Sequence, residues 1–339
     1  MLVATKRDLG PWRALVDLAR WAPSPHNIQP WRLLIRSARE SELLVGGDRL
    51  LPDTDPSGRF TEVAMGVFVE SLAIAAAARG LALRPAYTHE PLRPGPRPIP
   101  FATLELRDAE EEEPLAAELI QRRRTSRLPY DGRPAFDSAM QMAAAAAAAA
   151  GHVLSWSHDS ELVAWTVELN RDTLFYDLAD PAARAEVGRW LRFSAAKAER
   201  ARDGFSPAAL GFPGWLLRAF FHLHALLQAP GIRQLVRRLY TRTMGGTRTI
   251  AWLAGPFETS PDWIAAGRML TRVWLTLERE GLSLHPFGSI VTNEKANARL
   301  QARLGRDESQ GTLWLIMRVG HSPVPPRSLR LETDELLLA

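Results

Sequence analysis

Apolar side chains near the start of the chain fall into a helical register: Trp12, Leu15, Val16, Ala19 and Ala22 recur at i, i+3, i+4, i+7 and i+10. Pro11 opens this helix, and Pro23 and Pro25 end it because neither can continue the hydrogen-bond ladder. A rigid polar loop follows, Ala22-Pro23-Ser24-Pro25-His26-Asn27-Ile28-Gln29-Pro30-Trp31, leading into strands expected at 31–36 and 42–45. Residues 52–58 are turn-rich. Residues 60–79 are apolar almost all round, the pattern of a buried helix rather than a surface one. A strand is expected at 101–107, and the acidic run 108–113, closed by Pro114, reads as a solvated linker.

The second half begins with a helix ending at Arg122-Arg123-Arg124-Thr125-Ser126-Arg127. The alanine tract 143–150, flanked by Phe136, Met140 and Met142, is a strong helix former, and a strand candidate follows at 152–157. From 161 to about 249 the pattern is helical, with Trp, Phe and Arg interleaved and breaks at Gly204, 211–214 and Pro230-Gly231. Nothing in the first half corresponds to it, so it reads as an insertion, and an apolar helical insertion of this size as a lid. Thr259, Ser260 and Pro261 start a capped helix that runs to Glu280 and stops at Gly281. A last strand is expected at 312–319, then an extended tail, 323–339, carrying Arg327 and Arg330.

The two long helices exit alike. Gly80-Leu81-Ala82-Leu83-Arg84-Pro85 and Gly281-Leu282-Ser283-Leu284-His285-Pro286 are offset by 201 residues, and Gly66 and Gly267 match at the same offset. That spacing predicts a fused, diverged dimer whose long helices pack against each other.

Composition narrows the chemistry. A chain of 339 residues holds two units of ordinary domain size, with 46% apolar and 24% charged residues. The net charge of +4 is diffuse and lacks an aromatic-basic platform, so no nucleic acid is expected as partner. The absence of cysteine excludes disulfides, thiol catalysis and Fe–S clusters. Residues 1–12 lack an apolar signal core, which points to the cytoplasm. The run 208–229 is nearly long enough to span a bilayer, but Pro213 and Gly214 break it, and Arg218, His222 and His224 would sit mid-membrane. It reads instead as a helix covering a pocket, with Trp215, Phe220 and Phe221 buried and membrane contact not expected; interfacial membrane contact is the alternative. His222 and His224 point to different faces, so no metal site is expected there. The arginine run, with no acid between Glu118 and Asp131, reads as an anion site.

Residues 21–31 resemble the APSxxNxQPW loop of the nitroreductase family of flavoproteins, Arg123 to Tyr130 resemble that family's RRSxRxF opening, and Pro286-Phe287-Gly288 resemble its Pro-x-x-Gly turn. The pattern is most similar to the single-chain, pseudo-dimeric, Acg-like branch, which carries a helical lid. The resemblance implies an α+β fold of three α/β/α layers, with two fused half-repeats forming a pseudo-dimer and a helical lid insertion. The halves would be residues 1–107 and 122–339, joined by a linker and lead-in helix at 108–121, with 161–249 as lid. It implies FMN, with Arg123, Thr125 and Arg127 at phosphate-binding positions and Pro23, Ser24, Pro25 and Asn27 on the loop contributed by the other half. Pro286, Phe287 and Gly288 would form the turn beside the flavin ring, and Arg327 or Arg330 would be the tail position near the phosphate. The first half lacks the arginine run and the second lacks the loop, so one complete site is expected per chain. No counterpart is assigned to the family's Asn between arginine motif and turn.

The implied activity is an FMN-dependent NAD(P)H oxidoreductase, with NADPH or NADH as donor and a nitro, quinone or similar acceptor, working as a monomer. The alternative is a non-catalytic protein that sequesters FMN beneath a closed lid. Glu258, Asp262 and His285 are proton-donor candidates that spacing does not separate.

Overall fold

The computed structural model describes residues 9–222, 229–307 and 310–338; most of the N-terminal stretch 1–12 and residues 223–228 of the apolar run, with His224, lie outside them. The first stripe forms α1 (Trp12–Ala19), with Trp12, Leu15, Val16 and Ala19 all buried. After the polar loop come β1 (Trp31–Ile35), β2 (Glu40–Gly46), α2 (Arg59–Ala77), β3 (Leu81–Tyr87) and β4 (Pro98–Asp108). The short α3 (Glu118–Arg122) leads into α4 (Asp137–Ala148) and β5 (Val153–Ser157). A run of helices follows: α5 (Ser160–Asp177), α6 (Pro181–Arg189), α7 (Ala195–Ala201), α8 (Pro207–Leu210), α9 (Gly214–His222) and α10 (Pro230–Thr243). The chain then makes β6 (Thr249–Gly255), α11 (Ser260–Arg279), β7 (Ser283–Pro286), α12 (Gly288–Thr292), α13 (Glu294–Arg303), β8 (Thr312–Gly320), α14 (Thr333–Leu336) and β9 (Leu337–Leu338).

Two sheets carry the repeat, the first antiparallel but for β9 and the second antiparallel throughout. One runs β3-β4-β2-β1-β9 and the other β7-β8-β6-β5. Apart from β9, the orders coincide when the first four strands of the fold are matched in sequence with β5 to β8. The tail crosses over: Leu33 and Leu34 of β1 pair in parallel with Leu337 and Leu338. Within the second half, Thr125 bridges to Leu284 at the edge of the second sheet. Backbone is therefore lent one way, from the tail of the second half to the first sheet.

Helices α2 and α11 pack on each other, with α1 against the first and α4 against the second. The crossing is reciprocal. A Cβ on Gly66 would stand 2.2 Å from the Ile264 carbonyl oxygen, and one on Gly267 would stand 2.0 Å from that of Val63. Val63 and Ile264 are themselves 201 residues apart, so the contact maps onto itself under the repeat. Around it, Glu70 is buried and pairs with Arg268 at 2.7 Å and Arg272 at 2.6 Å.

Four strands, β3, β6, β7 and the two-residue β9 of the tail, were not expected from the sequence. β3 and β7 are the glycine-started exits of the repeat, which continue as strands because each pairs with a long neighbour. β6 begins at Thr249, where the helical pattern was expected to fade, and is held between β5 and β8. The 108–113 linker is largely exposed, but Glu113 is drawn in to Arg272 at 2.8 Å. Helix α2 is long and apolar enough to cross a membrane, but it is mostly buried inside the protein, as a core helix is.

The crossing yields a stability test. Gly267→Ala places a methyl against backbone that cannot retreat and should destabilise by about 2–4 kcal/mol in urea unfolding. Gly231→Ala on α10, where no atom lies within 4 Å of the added Cβ, should be neutral or stabilising by up to about 1 kcal/mol. Equal effects of the two substitutions would contradict the close crossing.

Candidate functional site

A cavity of about 530 Å³ lies where the halves meet. Its floor is α2 and α11, through Val63, Ala64, Val67, Leu270 and Trp274. Pro23, Ser24, Pro25 and His26 of the polar loop form one side, Thr125 and Arg127 another, and His285, Pro286 and Gly288 a third. Phe175, Phe205, Phe212, Leu216, Phe220 and Phe221 of the helical run close the outer side. Its walls are mostly apolar, with few polar groups among them.

The loop is held in an unusual backbone. His26, Asn27 and Gln29 have φ of 47°, 57° and 48°, a left-handed region that non-glycine residues rarely occupy. Cross-chain hydrogen bonds fix it there. Gln29 donates to the Arg202 carbonyl and accepts from the Leu331 amide, and the Asn27 amide donates to the Gly204 and Leu329 carbonyls. Asn27 thus serves the backbone of the helical run and the tail, and does not line the cavity.

The arginine run does not act as one site. Arg122 reaches Glu278 at 3.7 Å, a carboxylate far along the sequence, and Arg124 donates to the Pro325 carbonyl. Arg123 is buried, lies 4.4 Å over the Trp274 ring and donates to the Trp21 carbonyl, leaving Nη1 with no partner. It therefore sits one residue behind the cavity wall. Arg330 shares its surroundings, donating to the carbonyls of Ala22, Trp21 and Leu329. Arg327 lies over the Trp21 ring at 4.3 Å on the exposed side. Of the four basic residues, Arg127 alone faces the cavity, 5.3 Å over Phe205, with no carboxylate pairing it among the described residues. Burial lowers the guanidinium pKa of Arg123 and Arg127 to about 10 and that of Arg330 to about 9, so all three remain cations at neutral pH. Buried cations lacking a carboxylate are costly unless an anion meets them.

Two cavity residues of the second half, Asn170 and Tyr240, had no sequence signal. His285 is buried, its Nδ1 lacks a partner, and burial holds it well below the usual histidine range. Asn170 donates to the Tyr240 hydroxyl at 2.9 Å. Of the three proton-donor candidates, His285 alone lines the cavity; Asp262 caps α11 with Thr259 and Glu258 bonds Thr312. Phe287 is buried in a separate cluster and its N–H donates to the Ile316 carbonyl at 2.8 Å. The open backbone donor at this turn is Gly288, the first residue of α12. Trp215, expected to be buried, is 73% exposed, whereas Phe220 and Phe221 do face the cavity.

No family model matches the chain. It is 33% identical over 129 residues to acg, a provisionally named NAD(P)H nitroreductase of Mycobacterium tuberculosis, a stretch covering 37% of each chain. The matched stretch thus spans little more than a third of that relative. It is 27% identical over 342 residues to an uncharacterised protein of the same organism, covering 95% of this chain and 91% of the other. A nitroreductase from Desulfitobacterium hafniense, solved with bound FMN, superposes over 66% of this chain and 96% of its own at 12% identity and a TM-score of 0.41.

His26 and His285 make the fold acid-sensitive. Burial and the nearby Arg127 hold the His26 pKa at about 4 against an ordinary 6.5. Between those values an unfolded chain takes up a proton that the folded loop refuses, so stability falls as pH drops from 6.5 to 4. Asn tolerates the left-handed backbone, so His26→Asn should keep the fold and lose about 1–3 kcal/mol less over that range in pH-dependent urea unfolding. Identical slopes would show that His26 titrates normally.

Proposed function

We propose that the chain is a nitroreductase-type protein of the fused, Acg-like form, that it binds one FMN in the cavity between its halves, and that it passes electrons from a reduced nicotinamide to a small acceptor. The cavity wall carries this reading: Pro23, Ser24 and Pro25, then Thr125 and Arg127, then Pro286 and Gly288, come from three distant stretches and line one space. Its volume falls in the range of roughly 300–1,000 Å³ usual for cofactor pockets. The apolar faces of Val67, Leu270 and Trp274 suit a flat ring, and the unpaired Arg127 and the free Nη1 of Arg123 suit a group bearing negative charge.

FMN, when bound, supplies hydride chemistry. The chain's part is to bind and orient it. Thr125 and Arg127 would hold the phosphate side directly, with the buried charges of Arg123 and Arg330 behind the wall and Arg327 outside them. The strained loop, fixed by Asn27, would present Pro23, Ser24 and Pro25 at one edge of the site, and Pro286 and Gly288 would form another, with Phe287 packed behind them. The acceptor class in this reading is a nitro compound, a quinone or a similar small molecule, and one chain suffices as a pseudo-dimer.

A second reading rests on the outer wall. Phe205, Leu216, Phe220 and Phe221 cover the cavity, and a cover that stays closed would make the protein a flavin store. Helix α5, although within the 161–249 segment, packs on α12 and α13, so movement in either reading belongs to the helices after it.

Replacing Arg127 with Ala should cost roughly 1.5–3 kcal/mol of FMN affinity, the worth of one charge-assisted contact, and Arg123→Ala, which removes a charge behind the cavity wall, should cost less. Riboflavin, which lacks the phosphate, should separate wild type from variant far less in the same fluorescence titration. Anaerobic bleaching of the bound flavin by NADPH or NADH supports turnover. Bleaching by dithionite alone would reject the enzyme reading and leave the store.

A further inference from the structure

Between Asp203 and Glu258 the chain contains no acid, yet Arg218, Arg233, Arg237, Arg238, Arg242 and Arg248 all fall there. In a chain with 38 acids and 42 basic residues, this imbalance is local. Arg237 pairs with Asp172. Among the described residues, Arg218, Arg233, Arg238 and Arg242 pair with no carboxylate, and all four are exposed.

Large apolar side chains share this surface. Trp215 is 73%, Leu235 57% and Ile232 42% exposed. On α9, Trp215 and Arg218 are three residues apart on one face, while Leu216, Leu217, Phe220 and Phe221 on the other line the cavity. On α10, Ile232, Leu235, Arg238 and Arg242 make one outward stripe, and Val236, Leu239 and Tyr240 face the cavity. Both helices are therefore amphipathic in an uncommon sense: the inner face is apolar, and the outer face mixes apolar and cationic groups.

We propose that the outer faces of α9 and α10 form a docking surface for an anionic lipid bilayer. Trp215, Ile232 and Leu235 would enter the headgroup boundary, and Arg218, Arg233, Arg238 and Arg242 would meet lipid phosphates. Tryptophan and aliphatic residues among basic ones are the composition of a helix that lies in a membrane interface. Charges placed mid-membrane weigh against a crossing helix, and this surface departs from the expected absence of membrane contact because a helix lying flat keeps its arginines in the headgroups. A second copy of the chain fits poorly, because a self-docked face would bring its own arginines together. A nucleic acid would leave Ile232 and Leu235 without an apolar contact. Because the same helices wall the cavity, docking and access to the cavity share one structural element.

The test uses the full chain, sedimented with vesicles of phosphatidylcholine alone or mixed with phosphatidylglycerol at low salt. It needs no cofactor turnover, so its outcome is independent of the flavin reading. Binding is expected only with the anionic vesicles. Arg233→Gln and Arg238→Gln should each weaken it about fivefold, and Ile232→Ser with Leu235→Ser should weaken it with every arginine in place. Circular dichroism checks that these surface variants stay folded. Equal sedimentation with both vesicle types, or unchanged binding by the variants, overturns the proposal. So does a concentration-dependent dimer, seen by analytical ultracentrifugation, that Leu235→Ser abolishes.

Discussion

The close crossing of α2 and α11 is the constraint on which the rest of the molecule depends. Gly66 and Gly267 let two backbones meet where any side chain would collide with a carbonyl oxygen. That contact fixes the two sheets relative to each other and sets the loop 23–26 of one half opposite Thr125, Arg127 and Pro286 of the other. The tail strengthens the arrangement, since β9 completes the first sheet from the end of the second half. A cavity at such a junction is built by neither half alone.

A repeat of this kind should create two equivalent junctions, and the residues explain why they differ. Val67 lines the cavity; its counterpart at the 201-residue offset is Arg268, whose guanidinium pairs with the buried Glu70. An ion pair therefore stands where the apolar wall would be. The halves diverged electrostatically as well as in sequence, with Arg127 unpaired on one side and Glu70 doubly paired on the other.

Much of this was legible in the sequence. The stripe Trp12, Leu15, Val16, Ala19 became a buried helix face, and the glycine offset located a contact that is reciprocal in space. The three motifs located stretches that do reach one cavity. Other features were hidden because they depend on partners distant in sequence. Glu278 neutralises part of the arginine run from the end of α11, and Trp274 stands between Arg123 and the cavity. Nothing local marks Asn170 or Tyr240 as cavity residues. Trp215 was misplaced because hydrophobicity alone does not say which face of α9 turns inward.

The central claim is that the two halves together make one flavin site. Flavin-free protein titrated with FMN, with bound flavin counted against chains by isothermal calorimetry, tests it most directly. The account predicts saturation at one FMN per chain. Saturation at two per chain would mean that the Arg268–Glu70 side also binds, and absence of binding would mean that the junction holds something other than flavin; either result contradicts it.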